Sequence, residues 1–542
     1  MSCNSFIPLS LKDAERGVLD KEIAELERRL QVLRSKRNRL SPIALLPPEL
    51  LTRIFFLVRA RQAGWKAYEW TAVTHICQRW RTVALGASTL WSEIISSNDG
   101  RAPQSAALAA FHRSGKCRID VDISQDYSPR QDLSFIFTTL ADLSRIRTLR
   151  LLLQADFQSM KSPELQKLAV FLRTPAPVLE ELTLMITILT PGEEEDSLKL
   201  GFENDLTWFD GVSPRLRSLI LTYSPSDLIG FHGQYLTNLE LRSALSEVLP
   251  RISFSTLLRL LSEAKKLQTL TLDNAFSLEH SAPMPGLIGR VSLEALSSST
   301  LTFDLPELLH FLANVSVPST SQTRVVITSF GELQEILEAL TSYFLDGIQP
   351  IFMMKYTLRD DLHLELELWT TCSADTVRER YLTLVLPLDM EHASFSGLEA
   401  LPISRIQSLH LAQRNDNFSF PDVGQIFGWC QSLDDLTNLV IEDDFVDFFI
   451  EVVKENTNCF PALTILAVCL SIYEPEAYQL RTLDHLYEIL EERARLVKPM
   501  KLQRLLLANL GDYEASSSIT GRIEKFKGLV LQMEVDAEVL WQ

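Results

Sequence analysis

The chain has 542 residues, 46% hydrophobic and 23% charged, which is the composition of a folded protein with room for several domains or one elongated array. No apolar run approaches the roughly 18 residues that span a bilayer: residues 463–473 are too few and include Thr464 and Ser471. The start, Met1-Ser2-Cys3-Asn4, lacks the basic residues and apolar core of a signal peptide, so the expectation is an intracellular protein, cytoplasmic or nuclear, with no membrane partner. The net charge of −18 divides into +6 over residues 1–95 and −24 over the remainder. An acidic field of that size repels phosphate backbones, which argues against nucleic acid as a partner of the large part.

The first element in chain order is a helix. Leu19, Ile23, Leu26, Leu30, Leu33 and Leu40 fall on alternating four- and three-residue steps, with Arg37 at the remaining seam position. About three heptads of this kind read as a coiled-coil-competent helix over residues 1–41. Two fates stand open for its apolar seam, a homodimer or packing back on the next segment. The cluster Arg34, Lys36, Arg37, Arg39 reads as a solvated helix face or a nuclear import signal.

Residues 42–96 carry the most informative pattern. Leu46-Pro47-Pro48-Glu49-Leu50-Leu51 opens a helix, because a proline in the first turn gives up an N–H that has no intrahelical partner anyway. Leu50, Leu51, Ile54, Phe55 and Val58 then recur at helical spacing as one broad apolar face. A second helix is expected over residues 69–85, with Val73, Ile76, Cys77, Trp80 and Ala84 in its stripe and Gly86 as C-cap. Leu90-Trp91 begins the next element. Some fifty residues cannot bury this much apolar surface alone, so part of it faces a partner or the rest of the chain.

Together, the Leu-Pro-Pro-Glu-Leu-Leu, the Ile54-Phe55, the Ile76-Cys77-Gln78-Arg79-Trp80-Arg81 and the Leu90-Trp91 resemble the F-box, as found in fungal-type F-box proteins. The resemblance implies a three-helix module that docks on a Skp-type adaptor within a cullin-based ubiquitin ligase. It also implies the adaptor-binding set Leu46, Pro47, Leu50, Leu51, Ile54, Phe55, Ile76, Cys77, Trp80, Leu90 and Trp91. That set mixes contact and core residues, and periodicity alone does not separate them.

Beyond residue 97 the frame [L/I]-x-x-L-x-[L/V/I] begins at Ile146, Leu179, Leu216, Leu236, Leu267, Ile406, Leu436, Leu463 and Leu502. It resembles a leucine-rich repeat, in which each unit contributes one short parallel strand. The fold class expected for residues 97–542 is therefore α/β: a curved leucine-rich-repeat solenoid following the F-box. Leu149, Leu182, Leu219, Leu239, Leu270, Leu409, Leu439, Leu466 and Leu505 should be buried on its strands. Asparagine usually closes such a strand; here it is mostly missing, and Leu267-Gln-Thr-Leu270-Thr-Leu272-Asp-Asn274 is the clearest copy. Between residues 267 and 406 the frame lapses, and strands are expected at Leu301-Thr302-Phe303 and Arg324-Val325-Val326-Ile327. Residues 361–369 alternate strictly and residues 381–386 nearly so, which predicts half-exposed strands, either distorted repeats or a small hairpin. Residues 191–196 read as an acidic loop tip.

Signatures of bond chemistry are missing from the sequence. Gly115-Lys116 is followed by Cys117 where a phosphate loop requires Ser or Thr, and no G-x-S-x-G or H-E-x-x-H occurs. The seven cysteines are odd in number and scattered, the usage of reduced thiols. His363, Glu365 and Glu367 share a strand face compatible with a metal, but a solvated amphipathic strand is the simpler reading. Neither an enzyme nor a cofactor is expected.

The expected function is substrate recognition for an SCF-type E3 ubiquitin ligase. The F-box would hold the adaptor and cullin scaffold, and the array would hold a protein substrate. The alternative is an F-box scaffold or regulatory protein without ligase duty. Substrate contacts would come from residues between the core leucines: Glu180, Glu181, Thr183, Arg217, Ser218, Asn238, Glu240, Arg242, Gln268, Thr269, Thr271, Asp273, Gln407, Ser408, His410, Asn438 and Glu442. The acidic balance either steers a basic substrate or simply keeps a large surface soluble.

Overall fold

A computed structural model describes residues 9–61, 67–97, 102–127, 134–155, 168, 170–188, 208–222, 232–243, 251–278, 290–318, 321–329, 333–344, 351, 353–358, 363–369, 380–387, 401, 406–413, 433–442, 445–456, 459–470, 475–495, 502–510 and 516–535. The expected loop tip at 191–196 lies outside them. The chain is α/β and divides into two compact units, Met1–Leu216 and Arg217–Gln542. The boundaries expected at 41/42 and 96/97 fall inside the first.

The first unit begins with α1 (Leu9–Arg39), a 3-10 turn at Pro42–Leu45 and α2 (Pro48–Arg61). A second 3-10 segment at Glu69–His75, α3 (Gln78–Gly86) and a 3-10 turn at Ser88–Trp91 complete the helical part. Four strands follow: β1 (Glu93–Ser97), β2 (Ile119–Tyr127), β3 (Ile146–Ala155) and β4 (Glu181–Ile188). Helices α4 (Gln104–Arg113) and α5 (Ser134–Leu140) lie between them in sequence. The strands pair in chain order, all parallel, with Leu149 directly opposite Leu182.

The expected helix over 69–85 is broken. The 3-10 segment stops at His75, Cys77 is extended (φ −158°, ψ 165°), and α3 starts at Gln78. The run Thr71, Val73, Thr74 and Ile76 gives the reason, since β-branched side chains crowd the preceding turn of an α-helix. Gly86 is the last helical residue, and Ala87 caps it (φ −88°).

Among the described residues the second unit contains thirteen strands of a large sheet, and two short two-stranded pairings, Ile252–Ser253 with Phe276–Ser277 and Val291–Ser292 with Val315–Ser316. The first five of the large sheet are β5 (Ser218–Leu221), β6 (Asn238–Arg242), β7 (Thr269–Asp273), β8 (Ser298–Phe303) and β9 (Gln322–Ile327). They pair in order and in parallel. After them come β10 (Met353–Leu358), β11 (His363–Trp369), β12 (Arg380–Pro387), β13 (Ser408–Gln413), β14 (Asn438–Glu442), β15 (Ile465–Cys469), β16 (Arg504–Ala508) and β17 (Gln532–Val535). β12 pairs with β9, and β10 with β13, both in parallel; β11 runs antiparallel between β12 and β10. A three-strand meander thus enters the sheet in reverse order, and parallel pairing resumes through β13 to β17.

The leucine frame builds this sheet. Leu219, Leu239 and Leu270 face one another in register, as do Leu409, Leu439, Leu466 and Leu505, and all nine predicted leucines are buried on strands. The segments entering the strands are stacked by backbone bonds: Thr237 N–H donates to the Arg217 carbonyl, Gln268 to Thr237, Ser297 to Gln268, and Gln322 to Ser297, at 2.8–2.9 Å. The same device recurs from Gln407 through Thr437, Thr464 and Gln503 to Gln532.

On the return side, the amphipathic α6 (Phe254–Glu263) buries Phe254, Leu257, Leu260 and Leu261. Ser253 caps it by accepting from the Thr256 N–H. α7 (Leu305–Asn314) follows β8, and Phe254, Phe276, Phe303 and Phe311 form one aromatic cluster, with centroids 4.8–6.4 Å apart. α8 (Leu333–Phe344), α9 (Phe445–Glu455), α10 (Glu476–Ala494) and α11 (Ser517–Phe526) follow. None of the described helices is long and apolar enough to cross a membrane.

Candidate functional site

Within the N-terminal helical module, the structure separates the predicted binding set into two groups. Leu51 and Phe55 on α2 are fully buried, and Leu90 and Trp91 are nearly so. Trp91 donates its indole N–H to the Ala84 carbonyl at 2.8 Å and packs on Trp70 with centroids 4.8 Å apart. The Phe55 ring meets Trp80 at 5.2 Å. Arg59 donates to the Leu90 carbonyl and lies near Glu93, and Arg113 covers the Trp91 ring at 4.6 Å. These groups hold the module together. Trp70 was not among the predicted residues, although its bulk and spacing from Trp80 were visible in the sequence.

Other members of the set face outward. Pro47 is exposed, Leu50 is 47% exposed and Ile76 is 60% exposed. Leu46, Ile54, Cys77 and Trp80 are half-buried. Leu57, 61% exposed, shares the α2 face of Leu50 and Ile54 through seven- and three-residue spacings, and the sequence reading missed it. Ile43 and Leu45 in the preceding 3-10 turn are exposed as well. Cys77 was expected inside a helical stripe; it sits at a helix start, half-buried, and forms no disulfide. Tyr68 anchors the module to β1 through paired hydrogen bonds with the Ile95 backbone at 3.0 Å. Burial raises its phenol far above the ordinary value, despite the Ile95 bond, with Glu93 adding to the rise.

The second candidate surface is the sheet face opposite the core leucines. From β5 to β8 burial alternates strictly, so Ile220, Glu240, Thr271, Asp273, Thr300 and Thr302 remain partly accessible there. Arg242 bonds Glu240 at 2.8 Å and stands opposite Asp273 in register. Desolvation raises the Asp273 carboxyl above its usual range, and Arg242 offsets part of that. Glu180, Arg217, Gln268 and Gln407 lie just before their strands, where their backbones take part in the stacking bonds. Glu181, Thr183, Ser218, Asn238, Thr269, Ser408, Asn438 and Glu442 lie on strands as expected and are exposed or half-buried.

Farther along the unit, this face is closed over much of β10 to β13, while β14 keeps the alternation. His410 is buried and bonds the Glu442 carboxylate at 2.6 Å, contrary to its expected place on an open surface. Desolvation holds its imidazole below the ordinary value, although Glu442 and Glu367 pull it upward; Lys355 adds to the lowering. The strand expected to be half-exposed is buried at Leu366, Glu367, Leu368 and Trp369, and residues 382–386 of β12 are buried throughout. Glu365 pairs with Arg324 at 2.8 Å and Glu367 is buried, so the face shared by His363, Glu365 and Glu367 is not a solvated one. No group of three or more His, Cys, Asp or Glu is placed to hold a metal among the described residues.

No family model and no curated protein matches the chain.

Proposed function

We propose that this chain is the substrate-recognition subunit of an SCF-type E3 ubiquitin ligase. Its F-box-like module docks on a Skp-type adaptor, and its leucine-rich strand array binds a protein substrate. The observation that carries the reading is the outward apolar stripe of α2, Leu50, Ile54 and Leu57, next to Pro47 and standing over a closed core of Leu51, Phe55, Trp70 and Trp91. Such a stripe on a helix suits helix-in-groove docking. The module uses separate residues for holding itself together and for meeting a partner.

In this reading the protein makes and breaks no bonds. It raises the effective concentration of a substrate lysine near a ubiquitin-charged enzyme held by the same scaffold. The open face of β5 to β8, with Glu240, Arg242, Thr271 and Asp273, is the substrate surface this reading favours over the closed face near His410.

The test is affinity purification of the tagged chain with proteasome and ligase activity blocked. Adaptor and neddylated cullin should co-purify, and both should be lost when Leu46 and Pro47 are replaced by alanine. Proteins lost on deleting residues 97–542, but retained on deleting 42–95, are substrate candidates. Adaptor without cullin would favour a regulatory scaffold, and unchanged adaptor capture by the Leu46/Pro47 variant would overturn the docking assignment.

A further inference from the structure

The apolar seam of α1 is open along its length: Leu19, Ile23, Leu26, Leu30 and Leu33 are each about half exposed or more. The alternative of packing back on the next segment is therefore not what the structure displays. The charges beside the seam specify what covers it. Residues 13–27 contain six carboxylates and two cations, whereas residues 28–39 contain six cations and no carboxylate.

Asp20, Glu27 and Arg34 flank one side of the seam, and Glu22, Arg29 and Lys36 flank the other. In a parallel in-register pair, each residue of the second set meets the residue five positions on in the other copy. Glu22 would then face Glu27, and Arg29 would face Arg34; Glu15 would face Asp20 one heptad earlier. Every such contact is between like charges, and symmetry doubles each one.

Reversing one helix inverts this pattern. With Ile23 layered on Leu33 of the second copy and Leu26 on Leu30, Glu22 meets Lys36 and Asp20 meets Arg34, each twice. Like charges remain only at the two self-contacts on the axis, Glu27 and Arg29, and Arg29 already lies 3.8 Å from Glu25 of its own helix. Arg37 layers on Leu19 near the ends, where a long stem covers apolar surface while its charge reaches water.

We infer that α1 pairs antiparallel with α1 of a second copy of this chain, making the protein a homodimer. The inference rests on the α1 sequence and its exposure and does not depend on the proposed function.

Sedimentation equilibrium on the full-length chain tests it. The wild type should dimerise. Glu22→Lys places lysine against Lys36 twice and should weaken the dimer by about tenfold or more at low salt. Glu22→Lys combined with Lys36→Glu should restore it, and Leu26→Asp with Leu30→Asp should give a monomer with unchanged thermal unfolding of the remainder. A wild type that is monomeric across the micromolar range would overturn the inference. So would a dimer strengthened by Glu22→Lys, the result a parallel pair demands, or one that survives the double aspartate change.

Discussion

Leu50 and Leu51 are neighbours in sequence with opposite structural duties, and replacing each with alanine separates binding from folding. Leu51 is fully buried against the module's aromatic core, so Leu51→Ala removes a packed side chain and leaves a cavity, a loss of about 2–5 kcal/mol. For a unit of this size each kcal/mol lowers the midpoint of thermal unfolding by about 2–4 °C. Leu50 is 47% exposed on the same helix. Full burial of a leucine contributes about 1.5–3 kcal/mol, so about half of that is at stake in the fold, and alanine's better helix propensity offsets part of it. In a complex the exposed half of Leu50 becomes buried. Truncating it should then weaken adaptor binding by about 0.7–1.4 kcal/mol, or roughly three- to elevenfold.

The assay is a pair of measurements on each variant: thermal unfolding of the chain, and calorimetric titration with a Skp-type adaptor. Leu50→Ala should shift affinity with little change in unfolding, and Leu51→Ala should shift unfolding first. If Leu50→Ala binds like wild type, or if Leu50→Ala unfolds as readily as Leu51→Ala, the division of α2 into a docking face and a core face is wrong.

Three further outcomes follow from the second unit. Gly233→Ala would bring a Cβ to 2.6 Å from the Leu260 backbone carbonyl, so a loss of about 1–3 kcal/mol is expected in chemical denaturation, and an unchanged midpoint would refute the close approach. Arg493 is buried and donates to the Cys459 and Phe460 carbonyls at 2.6 and 3.1 Å, so Arg493→Met, which leaves both acceptors without their donor, should cost about 2–4 kcal/mol by the same measurement. Burial holds His410 below its ordinary 6.5, so the unfolded chain binds the extra proton and the His410 contribution, present above pH 6.5, is lost as pH falls below it. His410→Gln should flatten the acid side of the midpoint-versus-pH curve, and identical curves would sink the assignment; Lys355, Glu367 and Glu442 are the charged groups around the ring and are unchanged in the variant.

The leucine frame was legible because a fixed spacing recurring about every thirty residues has one economical solution, which is stacking in register. Leu409, Leu439, Leu466 and Leu505 occupy one such row. In the lapse between residues 267 and 406 the strands were legible, at 301–303, 324–327, 361–369 and 381–386, but their pairing was left open between distorted repeats and a small hairpin. A strand's alternation is the same whether its neighbours run parallel or antiparallel, so residues 363–369 did not decide between the two readings, and the antiparallel pairing of β11 with β12 is the hairpin one. Asparagine carried more information than its rarity suggested. Asn274 and Asn509 occupy equivalent positions after β7 and β16, and both have positive φ, 46° and 62°, where asparagine is better tolerated than most side chains.

The two candidate surfaces were illegible for one shared reason: periodicity reports which residues share a face, and only the third dimension reports whether that face is covered. On α2 the broad stripe of Leu50, Leu51, Ile54, Phe55 and Val58 spans more arc than a single core contact needs. Leu51 and Phe55 turn inward, with the Phe55 ring on Trp80, which leaves Leu50 and Leu57 outside. On the sheet the same alternation places Thr271 and His410 on the face opposite the leucines, yet Thr271 stays partly accessible and His410 is buried. An ionisable residue tolerates such burial when it is hydrogen-bonded, and the 2.6 Å bond to Glu442 meets that condition. A partner reaching the sheet therefore meets Glu240, Arg242 and Asp273 before it can meet His410. Substitutions at Arg242 should change partner binding with little effect on stability, while those at His410 should do the reverse.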